Sequence, residues 1–434
     1  MTGMALRIVA IELFERAVRY RLPFRFGAAT VTEGVQAFVR VRVRTDDGRE
    51  SDGASSELMV PKWFDKDPAL SADDNIDQLR RALRIARDAY LEDGGSRTAF
   101  GHFAAHASAC ISEGARHGLP PLAANFGPAE IDKAVLDALC RALRVSFFAA
   151  VDDNVVGFAP GMVAPDLAGL DAHAFLRSLA PRDALAVRHT VGLADALPES
   201  LEQAIRRHGL RWFTVKLGGD VDADLARLAE VSAVLDPLAH YGVTLDGNEQ
   251  FTPPALAALI YALTSDAHLA RLAGAVAFVE QPLPRAITFD AEVPRGFPML
   301  IDEADATMDA FPRARARGYT GVSSKSCKGI YKSLVNAMRC AVWGAPYFLS
   351  AEDLTTPAGL ALEQDLALAS ILGVEHVERN GYHYLDERTG GVPIDNGAMS
   401  TRSLRGVGFA SEATPDWTTL SPMRESTSTQ LTEQ

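Results

Sequence analysis

From residue 183 onward the sequence alternates, eight times over, between a short apolar run and a longer stretch whose apolar groups fall at helical spacing. The short runs are ALAVRHTV (184–191), RWFTVKL (211–217), GVTLDGN (242–248), VAFVEQP (276–282), PMLIDEA (298–304), GVSSKSC (321–327), YFLSAED (347–353) and HVERNGY (376–382). Between them lie segments such as DADLARLAEVSAVLDPLAHY and PPALAALIYALTSDAHLARLA. Strands apolar along most of their length are buried on both faces, as in a parallel sheet covered by helices. Eight of them alternating with helices predict a (β/α)8 barrel or a close variant, in the α/β class. A doubly wound open sheet is the alternative, but no Gly-rich phosphate loop opens any of the helices.

Five consecutive strands end in charge: Lys216, Asp246, Glu280, Asp302 followed by Glu303, and Lys325. An uncompensated buried carboxylate costs several kcal/mol, so Glu280, behind Val276-Ala277-Phe278-Val279, must be exposed, paired or bound to a cation. One charged strand end marks only the place where polarity begins. Five in the order Lys, Asp, Glu, Asp, Lys, on strands whose ends converge on one barrel mouth, describe a site. Three carboxylates there repel one another unless a divalent cation sits between them, and an oxygen-only donor set suits Mg2+.

The N-terminal part has a different texture. Leu6 to Phe14, Val18 to Phe26 and Ala37 to Val43 have alternating or β-rich patterning, with Asp46-Asp47-Gly48 as a turn before a further extended piece. Residues 74–92 and 129–145 read as amphipathic helices. The stretches RLPFRFGAATVTEG (21–34) and SSELMVPKWFDK (55–66) have the composition of a lid over the barrel mouth. Phe24, Arg25, Phe26, Lys62 and Trp63 are the substrate-binding candidates on them, a core role being the plain alternative for the three aromatics. Glu352 and Asp353 on the seventh strand, with Glu378, Arg379 and Asn380 on the eighth, are further groups offered to the mouth.

The balance of 43 Lys+Arg against 56 Asp+Glu, a formal net charge of -13, argues against a nucleic-acid or anionic-membrane binder. The cysteines Cys110, Cys140, Cys327 and Cys340 lack metal-site or disulfide-framework spacing. Glu12 and Glu15 interrupt what would be a leader's apolar core, and no apolar run approaches a membrane span, so a cytoplasmic protein is expected. The Ser-, Thr- and Gln-rich tail after Trp417 is expected to be disordered.

With DGN at 246–248, VEQPLP at 279–284 and IDEAD at 301–305, the chain resembles the enolase superfamily. Within it, the resemblance is to the mandelate racemase/muconate lactonizing enzyme family, in the branch of muconate lactonizing enzymes, dipeptide epimerases and o-succinylbenzoate synthases. The resemblance implies an N-terminal α+β capping domain (1–150), a modified (β/α)7β TIM-type barrel (151–390) and a C-terminal segment (391–434) returning to the cap. It implies Asp246, Glu280 and Asp302 as Mg2+ ligands, Lys216 and Lys325 as an acid/base pair, and Asn248 and Glu303 as residues that orient the ligands. It also implies a reaction class: removal of the proton α to a carboxylate through an enediolate, by a lysine whose pKa is lowered in a dry cationic site.

A racemase or epimerase of a small carboxylate substrate, working as a homo-oligomer, is the favoured form. A lyase, dehydratase or cycloisomerase on the same intermediate is the alternative, and a metal-retaining binding protein or a Schiff-base aldolase stands further off. Two positions depart from the branch. Thr214 stands where its Lys-x-Lys pattern has the first lysine, and the sixth strand runs Lys325-Ser326-Cys327-Lys328-Gly329 instead of lysine followed by Gly-Gly. Lys325 is read as the catalytic lysine because it continues the strand, Lys328 falling where the next loop begins. The eighth strand lacks the Asp-x-Asp expected of many dipeptide epimerases, and no histidine near the sixth or seventh strand offers itself as a base.

Overall fold

The computed structural model describes residues 3–386, 391–409 and 415–425. The tail after residue 425, for which disorder is expected, lies outside the described residues, as do 387–390 and 410–414.

The chain opens with an antiparallel meander, β1 (Ala5–Phe26), β2 (Ala29–Thr45) and β3 (Glu50–Met59). Three helices cover it: α1 (Ala72–Asp93), α2 (Ala99–Arg116) and α3 (Pro121–Leu143), with a two-residue strand β4 (Arg97–Thr98) on the edge of β1. Alternation fixes which face is which: Val39, Val41 and Val43 are fully buried, while Arg42 and Arg44 face solvent and pair with Asp52 and Glu50. The two stretches read as separate first strands are one strand. Glu15 and Arg16 between them stay in register with Ala37 and Gln36, and irregularities fall only between Ile8 and Ala10 and between Arg19 and Phe24.

Helix α2 carries no sequence expectation; its buried face beyond Phe103 is built of small and polar residues, His106, Ala107, Cys110 and Gly114. Helix α3 is buried on nearly every side, between the meander and the barrel. Gly53 lets it approach β3: a methyl group there would stand 2.1 Å from the Ala138 nitrogen and 2.3 Å from the Ala134 carbonyl oxygen.

Short helices α4 (Phe147–Asp152) and α5 (Ala172–Ser178) lead to the eight parallel strands: β5 (Ala184–Val191), β6 (Trp212–Lys216), β7 (Gly242–Asp246), β8 (Val276–Glu280), β9 (Met299–Ile301), β10 (Gly321–Ser324), β11 (Phe348–Glu352) and β12 (His376–Glu378). Each pairs with the next, and β12 pairs back onto β5, closing the barrel. These are the eight runs of the sequence. The intervening helices are α6 (Glu199–His208), α7 (Val221–Leu235), α8 (Pro253–Ser265), α9 (Ala270–Ala275), α10 (Ala310–Arg315), α11 (Ile330–Trp343) and α12 (Leu360–Ile371), and a single turn of helix, α13 (Gly381–Tyr384), follows β12.

Residues 281–298, between β8 and β9, form turns where the alternation leads one to expect a helix. Pro282, Pro284, Pro294 and Pro298 lie there, and proline removes the backbone donor a helix interior needs. Gln281 organises the turn: its amide donates to the Leu283 carbonyl (2.8 Å) and Thr288 Oγ1 (3.0 Å), and its Oε1 accepts from the backbone of Asp302 (2.9 Å) and Ala304 (3.0 Å).

The C-terminal segment divides. A hairpin of β13 (Ile394–Asp395) and β14 (Ala398–Ser400) adds antiparallel to β5, and β15 (Ser421–Pro422) returns to pair with Phe14 and Glu15 of β1. Among the described residues no helix is long and apolar enough to cross a membrane.

Candidate active site

Parallel register carries charge to one end of the barrel. Lys216, Asp246, Glu280, Glu352 and Glu378 are the last residues of their strands, and Asp302 and Lys325 stand one residue past theirs. Lys216 is the register partner of Asp246, Asp246 of Glu280, and Glu352 of Glu378. All seven side chains are buried, Glu280 and Glu378 completely. The backbone is twisted into left-handed geometry around this mouth at Asn248, Glu249, Gln281 and Thr355, a strain that folds tolerate chiefly at functional sites.

The two lysines divide the carboxylates between them. Lys216 Nζ lies 2.5 Å from Asp246 Oδ2 and 3.1 Å from Glu378 Oε1. Lys325 Nζ lies 2.8 Å from Asp302 Oδ2 and 2.7 Å from Glu352 Oε1, and 4.3 Å from the centre of the Trp63 ring. With three strands between β6 and β10 on either side, the two ammonium groups face each other across the barrel. Lys328 also reaches Asp302, at Oδ1 (2.9 Å), so that aspartate carries one lysine on each oxygen. Lys328 Nζ also donates to the Asp302 carbonyl (3.2 Å), whereas Lys325 lines the cavity.

Glu280 stands between these clusters and differs from all its neighbours. Among the described residues no basic, hydroxyl or amide donor reaches either of its oxygens, and its carboxyl pairs with that of Glu352. Burial first, then the negative charge of Glu352, Asp246 and Asp302, pushes its carboxyl well above the usual range. Asp302 goes the other way: burial opposes its ionisation, but Lys325 and Lys328 hold it well below that range. Burial and Asp302 raise Glu352 to about 7. For Glu378, burial is outweighed by Lys216 and Arg188, which bring it to about 2.

Glu280 is shared by two groups whose ligand oxygens lie within 4.8 Å of one another: Asp246, Glu280 and Glu378 on one side, Glu280, Asp302 and Glu352 on the other. The set expected from the sequence, Asp246, Glu280 and Asp302, is not one of these groups: the two aspartates fall on opposite sides of Glu280, each drawn toward its own lysine, and Glu378 and Glu352 of the eighth and seventh strands complete the two sides. Buried oxygens of Glu280, Glu378, Asn248 and Glu303 with no basic, hydroxyl or amide donor among the described residues are what a hard cation requires. The residues fit a divalent metal.

In the metal-free site the carboxylates set the balance at both lysines. Burial works to lower both ammonium groups, but Asp246 and Glu378 at Lys216, and Asp302 and Glu352 at Lys325, outweigh it and hold both well above the usual lysine range. The carboxylates that would bind a cation are, without one, counter-ions to the lysines.

The position of Thr214 has a physical answer. Arg188, fully buried inside β5, donates through Nε to Thr214 Oγ1 (2.8 Å), and through Nη1 to Ser350 Oγ (3.1 Å) and His376 Nδ1 (2.7 Å). Its Nη2 lies 3.8 Å from Glu378 Oε2. A cation therefore sits below the carboxylates after all, supplied by the neighbouring strand. Burial, then the charge of Arg188, lowers the His376 imidazole to about 2. The folded protein refuses a proton that the unfolded chain accepts below about 6.5, so stability from this residue is present at neutral pH and lost as pH falls. His376→Gln, which keeps an acceptor for Arg188, is expected to remove about 1.4 kcal/mol per pH unit from the acid slope of unfolding free energy, measured by urea titration between pH 6 and 4.

The meander roofs the site. A cavity of about 30 Å3 is lined by Phe24, Phe26, Val60 and Trp63 from above and by Lys216, Asp246, Asn248, Lys325, Glu352, Asp353, Leu354, Thr355, Glu378 and Asn380 from below. That is room for about one water molecule, so the meander lies directly on the barrel mouth. Arg25 and Lys62 lie outside it: Arg25 alternates outward between two buried phenylalanines, and Lys62 Nζ is held by the carbonyls of Asp67 (2.7 Å) and Leu70. Asp353 lines the cavity but is engaged by Arg379 and the backbone of Thr355 and Asn380. Asn380 Nδ2 donates to Glu378 (3.2 Å).

The lysine of the lid that does reach the barrel is Lys66, which sequence reasoning passes over. Its Nζ contacts Glu303 Oε1, Glu249 Oε2 and the Asn248 carbonyl, each at 2.8 Å. Arg285 completes the fastening, bonding Glu249 and the carbonyls of Trp63 and Phe64 (2.9 Å each). Asn248 Nδ2 donates to Glu303 (3.3 Å), and the Asn248 backbone to Asp246 Oδ1 (2.8 Å).

Residues 196–414 match the family model of the enolase C-terminal domain-like proteins, and the chain belongs to that family. No curated protein matches it by sequence. Among solved structures it is similar to the L-Ala-D/L-Glu epimerase of Bacillus subtilis, at 18% identity and a TM-score of 0.63, over 93% of this chain and 98% of that one. It is also similar to a muconate lactonizing enzyme of Pseudomonas fluorescens (18% identity, TM-score 0.63, 93% and 96% covered), solved with muconolactone. An enolase from Bradyrhizobium, complexed with magnesium and mandelic acid, matches at 17% identity and a TM-score of 0.64, over 94% and 96%. At such identities the likeness is one of fold.

Proposed function

We propose that the protein is a Mg2+-dependent enzyme that removes the proton α to a carboxylate of a small molecule, as a racemase or epimerase. The observation that carries this reading is the pair of buried lysines facing each other across a wall of carboxylates in which Glu280 has no basic, hydroxyl or amide donor. Bound by Asp246, Glu280 and Asp302, with Glu352 and Glu378 beside them, Mg2+ would stabilise the negative charge that the substrate carboxylate gains as its α-proton leaves. The Bradyrhizobium enolase with magnesium and mandelic acid supports the metal, and the epimerase of Bacillus subtilis supports the reaction.

The rest follows from the chain's own groups. With the carboxylates turned to the cation, Lys216 and Lys325 would lose the counter-ions that hold them protonated and would flank an α-carbon from opposite faces, the neutral amine of one taking the proton as the ammonium of the other returns one. Asn248, bonded through its backbone to Asp246 and through its amide to Glu303, ties the Asp246 loop to the residue beside Asp302. Phe24, Phe26, Val60 and Trp63 exclude water and press on the substrate's distal part, which favours an apolar substituent there. Asp353, being paired, offers no free charge to a substrate ammonium. This speaks against a dipeptide with its amino terminus at that position.

Each lysine alone exchanges only its own face. In D2O, Lys216→Ala is expected to lose α-proton exchange from one enantiomer of a substrate and Lys325→Ala from the other, read by mass spectrometry across hydroxy acids, N-acyl amino acids and acid sugars. A mutant that loses all exchange, while the other keeps one enantiomer at the wild-type rate, would replace the racemase reading by a one-base lyase or cycloisomerase. Metal uptake with no exchange by the wild type on any compound would leave a binding protein.

A further inference from the structure

A second cluster of metal-ligating side chains lies in the cap, on helices that take no part in the chemistry above. We propose that Asp93, His102 and His106 form a binding site for a divalent cation of the Zn2+ type, clipping the end of α1 to the start of α2. One ligand atom from each residue lies within 4.8 Å of the other two. His102 and His106 are four residues apart on α2, hence on one face of it. Asp93 is the last residue of α1, and Gly94, in left-handed geometry, turns the chain away behind it.

The histidines are arranged as ligands are. His102 Nε2 lies 3.0 Å from the Leu6 carbonyl, which can only accept, so the ring proton is on Nε2 and Nδ1 keeps its lone pair. That Nδ1 is buried and, among the described residues, has no partner, in a side chain 1% exposed. A backbone carbonyl on the far nitrogen is the support that metal-bound imidazoles ordinarily have. His106 Nε2 faces Asp93 Oδ2 at 3.2 Å, and the Tyr90 ring, fixed by its hydroxyl bond to Asp132, packs on the His106 imidazole at 4.4 Å.

Two imidazoles and one carboxylate suit Zn2+ or Co2+ over Mg2+, and Asp93, partly exposed, leaves the fourth position to water. Arg97 is the competitor: it pairs with the same Asp93 carboxylate. Its side chain is 35% exposed, so it can swing into solvent when a cation takes that oxygen.

The test uses the whole chain, freed of metal and then held in excess Mg2+ so that the barrel carboxylates are occupied. Titrated with Co2+, the wild type is expected to bind one equivalent with the visible absorption of a tetrahedral site, and Zn2+ to abolish the band. Glu280→Gln should keep it. Asp93→Asn and His106→Gln should each weaken Co2+ binding at least about tenfold, and Arg97→Gln should tighten it, an outcome that damage to the fold would not give. Asp93 is near the surface, so its variant remains informative if His106→Gln fails to fold. No band in the wild type, loss of the band in Glu280→Gln, or unchanged affinity in Asp93→Asn overturns the proposal.

Discussion

Glu280→Gln should abolish metal-dependent turnover while leaving the metal-free protein at least as stable as the wild type. The side chain keeps its shape and is relieved of an ionisation that burial and the neighbouring carboxylates oppose. If the cation contributes several kcal/mol to the transition state, at 1.36 kcal/mol per tenfold, the fall in kcat is about 1000-fold or more. The thermal measurement is independent of any substrate. The wild type should gain about 2.7 kcal/mol at a Mg2+ concentration of 100 times its Kd, and the variant should gain none at the same concentration. Equal metal stabilisation in both proteins would remove Glu280 from the metal site.

The second large effect lies below the site. Arg188→Met fills the same stem volume but takes donors from Thr214, Ser350 and His376, and the nearby positive charge from Glu378. Breaking a buried charge network from one side typically costs about 3–5 kcal/mol, because the groups left behind are stranded. Unfolding free energy from urea titration should fall by that amount. A loss under about 1 kcal/mol would mean that the arginine's bonds only repay its own burial.

The charged strand ends were legible for a definite reason. A strand buried on both faces is apolar until it leaves the barrel, so Lys216, Asp246, Glu280 and Asp302 stand out against what precedes them. Arg188 has the opposite character. Within ALAVRHTV an arginine reads as a solvated face, and only barrel closure turns it inward. Lys66 was hidden differently, since its partners Glu249 and Glu303 lie far along the chain and no local pattern records that meeting. Lys62 and Arg25 had the right charge and neighbourhood, but strand alternation and a local carbonyl pair turned them away. The 281–298 segment carried its own signal in four prolines, which the regular alternation around it overshadowed.

The fastening of Lys66 and Arg285 has a consequence for how such a protein changes. The cap residues that line the cavity come from before position 64, whereas those proposed to react with a substrate come from positions 216–378, so shape and chemistry can vary independently along the gene. They are not independent in space. Trp63 hangs from Arg285 through its carbonyl, and Lys66 rests on Glu303, the neighbour of Asp302. A cap transplanted from a relative would bring its own side chains to the cavity but lose its footing unless Lys66 travelled with it and Glu249 and Arg285 waited on the barrel. Recombination within this architecture is therefore constrained less by the aromatic residues that line the cavity than by three charged ones that lie outside it.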